Sequence, residues 1–410
     1  MTTQLKKFRP GRSLAPALLL ACLAALLMTS CAPPPPPPEV VPPPAAEAMV
    51  RVPEEQWPLL ADDMDLGSLF AAAQQSLAYL RRLPPDQSFQ FGPDAYSAAQ
   101  VAYSIARFLE IAGHHKNPAQ LTAALKREFA LYASVGRDGR GEVLMTGYYE
   151  PILDGARAPS RRFGQPLYAM PGDLVTIDLK LFGEDLPQRR LVGQVDGHKV
   201  RPYPEREAID YQGAIQGKAK VLAWIHDPVE SFFLQIQGSG QVRFADGGRT
   251  RLGYAASNGR PYRGIGKLLM NEGLMSKDEM SMQGIKRLLE ARPDLRRRVL
   301  SYNPSYVFFR ELSPEGGPLG CYEIPLGAGR AVATDRKMFP GLALGFITGE
   351  RPAPGGKTAP LARFVLNQDT GGAIRGPGRL DLFFGSGHEA GNLAGRMKHT
   401  GRLYFLVMKR

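Results

Sequence analysis

The chain has 410 residues, 44% of them hydrophobic, enough to bury a core in one large domain or two moderate ones. Its formal charge is +12, and four of the positive charges lie in the first 30 residues, which leaves +8 for the rest. With 45 glycines and 36 prolines the chain is too rich in turns for an all-helical protein, so β structure is expected.

Lys6, Lys7, Arg9 and Arg12 precede an apolar run over 14–27, and Met28-Thr29-Ser30 lead to Cys31. That order is a bacterial lipoprotein signal over 1–30, cut before Cys31, whose thiol then carries lipid. Met28 departs from the leucine usual at the third position before such a cysteine. An ordinary secretory signal cut nearby and an uncleaved anchor are the alternatives. In each case the remainder works outside the cytoplasm, which argues against ATP, NAD and nucleic acid as ligands. Ala32, rather than an aspartate, follows Cys31 and favours the outer membrane, with the protein on its periplasmic side. An exported basic protein is drawn to anionic polymers, and in a bacterial envelope that polymer is peptidoglycan; a solvated surface with excess lysine and arginine is the plainer reading.

Of the three cysteines, Cys22 leaves with the signal and Cys31 is lipidated, so Cys321 has no partner and no intrachain disulfide is expected. The six histidines show no metal-ligand spacing; neither a metal nor a cofactor is expected. No apolar run after the leader approaches the ~20 residues that span a bilayer.

Residues 31–52 hold Pro33–Pro38 and Pro42–Pro44 and form a polyproline linker, which at ~3.1 Å per residue reaches about 60 Å. Apolar residues at 3–4 spacing then predict packing helices over 66–80, 95–112 and 118–133, the last with Pro118 in its first turn. From Gly141 short alternating strands are expected: 143–150, then 231–237 with Gln235 and Gln237 on one face, then a hairpin over 242–254 turned at Asp246-Gly247-Gly248. One helix over 281–291 interrupts, and strands with Gly-rich loops return from 303 to the end. The expected class is therefore mainly β with an N-terminal helical section, an α+β fold.

Three aspartates stand out near the C-terminus: Asp335, Asp369 and Asp381. Asp381 sits in Arg379-Leu380-Asp381-Leu382-Phe383, between apolar neighbours on a strand. Desolvation there would keep a carboxyl protonated near neutral pH, as a general acid requires; a solvent-facing strand aspartate is the alternative. The glycine loop from Gly385 follows at once and gives a bulky substrate room to approach. Asp369-Thr370-Gly371 matches aspartic proteases in three letters only. Gln368 and Gly372 do not suit that motif, and a second copy is missing.

Several ordered stretches resemble the membrane-bound lytic murein transglycosylase A family. They are Thr146-Gly147-Tyr148-Tyr149-Glu150-Pro151, Gln235-Ile236-Gln237-Gly238-Ser239-Gly240, Gly253-Tyr254-Ala255 with Asn258-Gly259, Ile265-Gly266-Lys267, Met280-Ser281-Met282-Gln283, and Asn303-Pro304-Ser305-Tyr306-Val307-Phe308-Phe309. The block from Asp369 runs on through Asp381 to Ala394-Gly395-Arg396-Met397-Lys398. The resemblance covers the chain from Thr146 to its end.

It implies a double-psi β-barrel domain formed by 53–147 and 303–410, a smaller β domain inserted over 148–302, and a glycan groove between them. It places the catalytic acid on Asp381, with Asp369 as a supporting neighbour. The implied reaction cleaves peptidoglycan between N-acetylmuramic acid and N-acetylglucosamine without water and leaves a 1,6-anhydro ring, with one carboxylate serving as acid and then base. Ordinary glycosidases need two. A lipid-anchored peptidoglycan-binding protein on the same barrel, without catalysis, is the competing reading.

Implied partners are the glycan strands, the membrane through Cys31, and other cell-wall enzymes, with no nucleic acid. Candidate substrate-binding residues are Gln235 and Gln237 through their amides, Tyr148, Tyr149 and Tyr254 as stacking platforms or core aromatics, Thr146, Ser239 and Asn258 in turns, and Asp335 and Gly385 near the aspartates.

Overall fold

The computed structural model describes residues 44–313 and 316–410 together with the first two. The expected signal, Cys31 and most of the proline linker lie outside the described residues. Among the described residues no helix is long and apolar enough to cross a membrane.

Three helices open the described chain: α1 (Leu66–Leu80), α2 (Ala98–His114) and α3 (Pro118–Glu128). Each starts where a short polar side chain satisfies first-turn amides. Asp65 accepts from Ser68 N, Ser97 and Gln100 cap each other reciprocally, and Asn117 accepts from the amides of Ala119 and Gln120 just before Pro118. Two boundaries differ from the sequence reading. Residues Asp94–Ser97 pair with Ser88–Phe91 as a hairpin before α2. Residues Phe129–Ser134 form a strand, not the end of α3. Phe129, Ala130, Leu131 and Tyr132 are all buried, and a run apolar at every position carries no period to separate helix from strand.

The barrel has six strands: β1 (Val143–Glu150), β2 (Ala331–Ala333), β3 (Leu344–Pro352), β4 (Thr358–Asp369), β5 (Arg379–Ser386) and β6 (Lys398–Met408). Around the barrel the order is β6-β3-β4-β2-β5-β1, closed by pairing of β1 with β6. The pairs β2/β4 and β5/β1 are parallel and the rest antiparallel. This is the expected double-psi barrel, with α1 and α2 packed on it in one apolar core. Closure leaves no edge among the six strands. Arg330, wholly buried before β2, fixes the approach to α1: it pairs with Asp62 at 2.7 Å and donates to the carbonyls of Asp65 and Phe364.

Residues 152–312 supply a second, six-stranded sheet in the order Val307–Leu312, Arg249–Ser257, Gly240–Phe244, Ile152–Ala156, Val221–Ile225, Gln165–Tyr168. Val307–Leu312, grouped with the barrel at the sequence level, pairs instead with Arg249–Ser257 and is an edge of this sheet. The hairpin at Asp246-Gly247-Gly248 forms as expected. The largest correction is 231–237. It is not a strand but the end of helix α4 (Pro228–Gln237), begun by Asp227 accepting from Val229 N and ended by Gly238 in the left-handed region at φ 79°. The misleading alternation comes from burial on both sides. Phe232 and Phe233 pack into a helical cluster with Leu269 and Leu289, while Leu234 packs under the sheet with Val242 and Leu252. Consequently Gln235 and Gln237 do not share a strand face. The helix at 281–291 is α5 (Met282–Ala291), capped by Ser281. A helix unexpected from the sequence, α6 (Gly387–Arg396), separates β5 from β6.

One carboxylate ties the two sheets together. Glu150, wholly buried at the end of β1, accepts from Arg251 Nε at 2.9 Å and Gln241 Nε2 at 2.8 Å in the insert, and from Ser386 Oγ at 2.6 Å in the barrel. Removing one member of such a pair strands the other charge in the interior. Glu150→Gln is therefore expected to lower the unfolding free energy by about 3 kcal/mol in urea titrations; a change under about 1 kcal/mol would show that the tie carries little.

Candidate active site

Strand register aligns the chemistry. Ala333 of β2 pairs with Asp369 of β4 on one side and Asp381 of β5 on the other; Asp381 pairs with Thr146 of β1, and Thr146 with Lys398 of β6. Asp369, Ala333, Asp381, Thr146 and Lys398 thus form one row across five strands, about 5 Å per step. A bulge makes this possible. Val332 faces Asn367 but Ala333 faces Asp369, so Gln368 is squeezed out of the ladder. Gln368 is buried, and its amide donates to Ala72 O at 2.8 Å and Ser76 Oγ at 3.0 Å on α1. The helix thereby fixes the bulge that turns Asp369 into the row.

All five residues line a groove of about 350 Å³ between barrel and insert. The barrel wall continues through Tyr148, Tyr149, Thr370 and Arg379, and the opposite wall is Ile236 and Gln237 of α4 with Met282 of α5. Gln283 joins the walls, its amide donating to Gly391 O of α6 at 2.8 Å.

The two aspartates have different surroundings. Asp381 Oδ1 accepts a short hydrogen bond from Thr146 Oγ1, and Arg379 Nε lies 3.2 Å from the same oxygen. Asp369 has both oxygens taken. Oδ1 accepts from Cys321 N at 3.0 Å and Thr370 N at 2.9 Å, and Oδ2 accepts from Tyr148 OH at 3.0 Å. Burial pushes Asp369 up to about 6 in spite of those donors. The sequence reading expected such desolvation at Asp381; the carboxyl that burial raises is Asp369. Burial and the charge of Asp369 also drive the Tyr148 phenol well above its ordinary value and the Cys321 thiol up to about 12, so both stay protonated. Cys321 serves through its backbone amide and is no nucleophile.

The other sequence candidates divide by place. Tyr149 lines the groove but is largely buried against Ala390 and Ala394 of α6, and its amide donates to Gln237 Oε1 at 3.1 Å. Gln235 is buried behind the wall, accepting from Arg206 Nη2 at 2.8 Å. Asn258 is wholly buried and holds three loops, donating to the carbonyls of Pro204 and Pro304 and accepting from Tyr306 N. Asp335 is a buried loop staple for the amides of Lys337 and Gly376. Gly385 sits in the left-handed region at φ 101°, with its Cα face against Ala328. Tyr254 is about half exposed on the insert sheet opposite Phe309, and Ser239 follows the end of α4; neither lines the groove. The sequence reading passed over Arg379 and Gln368. Arg379 lies two residues from Asp381 on one strand, so period-two alternation was signal enough for it. Nothing local marks the bulge at Gln368.

A carboxyl raised from 3.8 to about 6 on folding binds its proton more tightly in the native state. Its contribution to stability is present below about pH 4 and is lost as pH rises through 6. Between those values the wild type should lose on the order of 2 kcal/mol relative to Asp369→Asn in urea unfolding, and parallel curves would show that Asp369 is not the group responsible.

Family models match the MltA specific insert domain over residues 144–310 and the 3D domain over 330–407. Membrane-bound lytic murein transglycosylase A of Escherichia coli strain K12 is 33% identical over 285 residues, covering 66% of this chain and 67% of that protein. The Vibrio cholerae protein of the same name is 32% identical over 283 residues, 67% of this chain and 68% of that one. A crystal structure of membrane-bound lytic murein transglycosylase from Agrobacterium tumefaciens superposes with TM-score 0.72 at 32% identity, covering 88% of this chain and 98% of that chain. Escherichia coli MltA with bound chitohexaose superposes with TM-score 0.67 at 26% identity, covering 89% and 96%. With this agreement in sequence and fold, the chain belongs to the membrane-bound lytic murein transglycosylase A family.

Proposed function

We propose that the protein is a peptidoglycan lytic transglycosylase, cleaving the β-1,4 bond between N-acetylmuramic acid and N-acetylglucosamine and closing a 1,6-anhydro ring, with Asp381 as acid and then base. The supporting observation is the state of the two carboxylates in the groove. Asp369 spends both oxygens on Tyr148, Cys321 and Thr370, so it has none left to attack a sugar or activate a water. Asp381 reaches the groove with Oδ1 held by Thr146 and with Oδ2 met only by the long 3.5 Å contact from Arg379. A hydrolase of the ordinary kind needs two working carboxylates. One suffices when the nucleophile is already attached to the reacting sugar.

In that reaction Asp381 gives its proton to the bridging oxygen. The C1–O bond breaks, the N-acetylglucosamine side leaves as a neutral alcohol, and positive charge develops at C1 and the ring oxygen of the muramic residue. The 6-hydroxyl of the same residue then attacks C1 and passes its proton to the Asp381 carboxylate. The acid is restored and no water is consumed. The intramolecular attack replaces a second reactant held in place. Above pH 6 the ionised Asp369 sets a fixed negative charge near the developing cation in a water-poor site, where it stabilises most. Thr146 holds Oδ1 so that Oδ2 carries the proton. Tyr149 and Gln237 offer an aromatic body and an amide along the groove. Cys31 carries the lipid that holds the enzyme on the periplasmic side of the outer membrane.

Asp381→Asn should reduce turnover of purified peptidoglycan by about 10²–10⁴-fold while glycan binding persists. Mass spectrometry of the wild-type products should show anhydro-muropeptides. Reducing ends would mean hydrolysis, and binding without any product would leave the non-catalytic, lipid-anchored peptidoglycan-binding protein. Cys31→Ser should move the protein from the membrane fraction to the soluble periplasm; unchanged fractionation would remove the lipid anchor.

A further inference from the structure

Arg379 is poorly matched to a partner that must donate a proton. Its Nε lies 3.2 Å from Asp381 Oδ1, its Nη2 3.5 Å from Oδ2 and 3.3 Å from Thr146 Oγ1, and its Nη1 3.2 Å from Ala373 O. Every one of these contacts is longer than the 2.7–2.9 Å of a well-made charge-assisted hydrogen bond. The contrast within the molecule is clear: Arg330 and Arg363 hold their aspartates at 2.7 and 2.6 Å with several further acceptors. Arg379 is also more open than they are. Its side chain is 29% exposed, against 0% and 7% for the other two, and it lines the groove.

At the far side of Thr146 in the same row stands Lys398, exposed and without an ion pair among the described residues. The acid is therefore flanked by two cations that open to the groove. The guanidinium lies against both oxygens of the carboxyl that must meet the substrate's bridging oxygen. The loose pair has to part before the chemistry.

Building on the transglycosylase reading, we propose that Arg379 is a carboxylate-receiving residue: on substrate binding its guanidinium leaves Asp381 for a carboxylate on the muramic residue or its peptide stem. The fork of a guanidinium suits that ligand, which it can hold with two parallel hydrogen bonds. The exchange selects glycan by charge and frees the acid in one movement. A neutral glycan leaves Arg379 where it is and is turned over slowly. Arg379 is thus a specificity residue that acts on the reaction through Asp381.

The test compares three preparations of one glycan: strands with intact stems, the same strands with their stem carboxylates amidated, and strands stripped of stems, which frees the lactyl carboxylate. For the wild type, kcat/KM should fall about tenfold on amidation. For Arg379→Gln it should be about tenfold lower on intact strands and unchanged by amidation. Arg379→Lys should recover part of the discrimination, and the thermal midpoints of both variants should stay near that of the wild type. Stripped strands used as well as intact ones would show that a freed lactyl carboxylate serves Arg379 as well as a stem carboxylate does, and stripped strands used as poorly as amidated ones would confine the recognition to the stem. Full discrimination retained in Arg379→Gln, or an equal loss on all three substrates, overturns the inference alone. Reducing-end products from the wild type overturn the transglycosylase reading and this inference with it.

Discussion

The groove exists because a charge is buried at the point where one strand changes sheets. β1 runs along the barrel through Thr146 and then enters the insert at Glu150, where the chain would be free to pivot. The carboxylate there binds Arg251 and Gln241 on one side and Ser386 on the other. Losing Arg251 would strand the carboxylate's charge out of water, while Gln241 and Ser386 tie the same carboxylate to both sheets. The Gln283 amide bond to α6 makes a second tie farther along the groove. The large apolar cores on the two sides are separate, and besides these polar ties the walls meet where Met282 of α5 packs against Tyr149, Ala390 and Ala394.

Within the barrel, precision comes from hydrogen-bonded register. Residues remote in sequence, from Thr146 to Lys398, meet in one row because five strands are locked to each other by backbone pairing. A one-residue slip in any strand would turn its member of the row to the other face. The bulge at Gln368 is such a slip, made once and anchored by α1. Helix α1 therefore helps to set the row although none of its side chains lines the groove.

The sequence displays this site unevenly. Asp381 was legible as a carboxyl between apolar strand residues, and the α1 and hairpin patterns were plain because their periods were clean. The strand assigned to 231–237 failed because α4 is buried on both sides, and two-sided burial erases the helical period. Asn258 and Gln235 sit in motifs that attract attention, yet both are spent on holding loops and Arg206. Their neighbours in space lie tens of residues away, so their bonds could not be read locally. The different hydrogen bonding of Asp369 and Asp381 depends on Tyr148 and Cys321, which only the closed barrel brings near.

The closing pair of the barrel joins β1 to β6, and more than half of the chain lies between them. Such closure is slow on entropic grounds, because a long loop must be fixed before the contact repays it. β6 is also the last of the six barrel strands along the chain, and its first residue, Lys398, completes the row. A chain stalled between β5 and β6 has its aspartates but no closed barrel to set them at one level. The enzyme thus carries its own timing: a wall-cutting groove takes shape only when the final strand arrives.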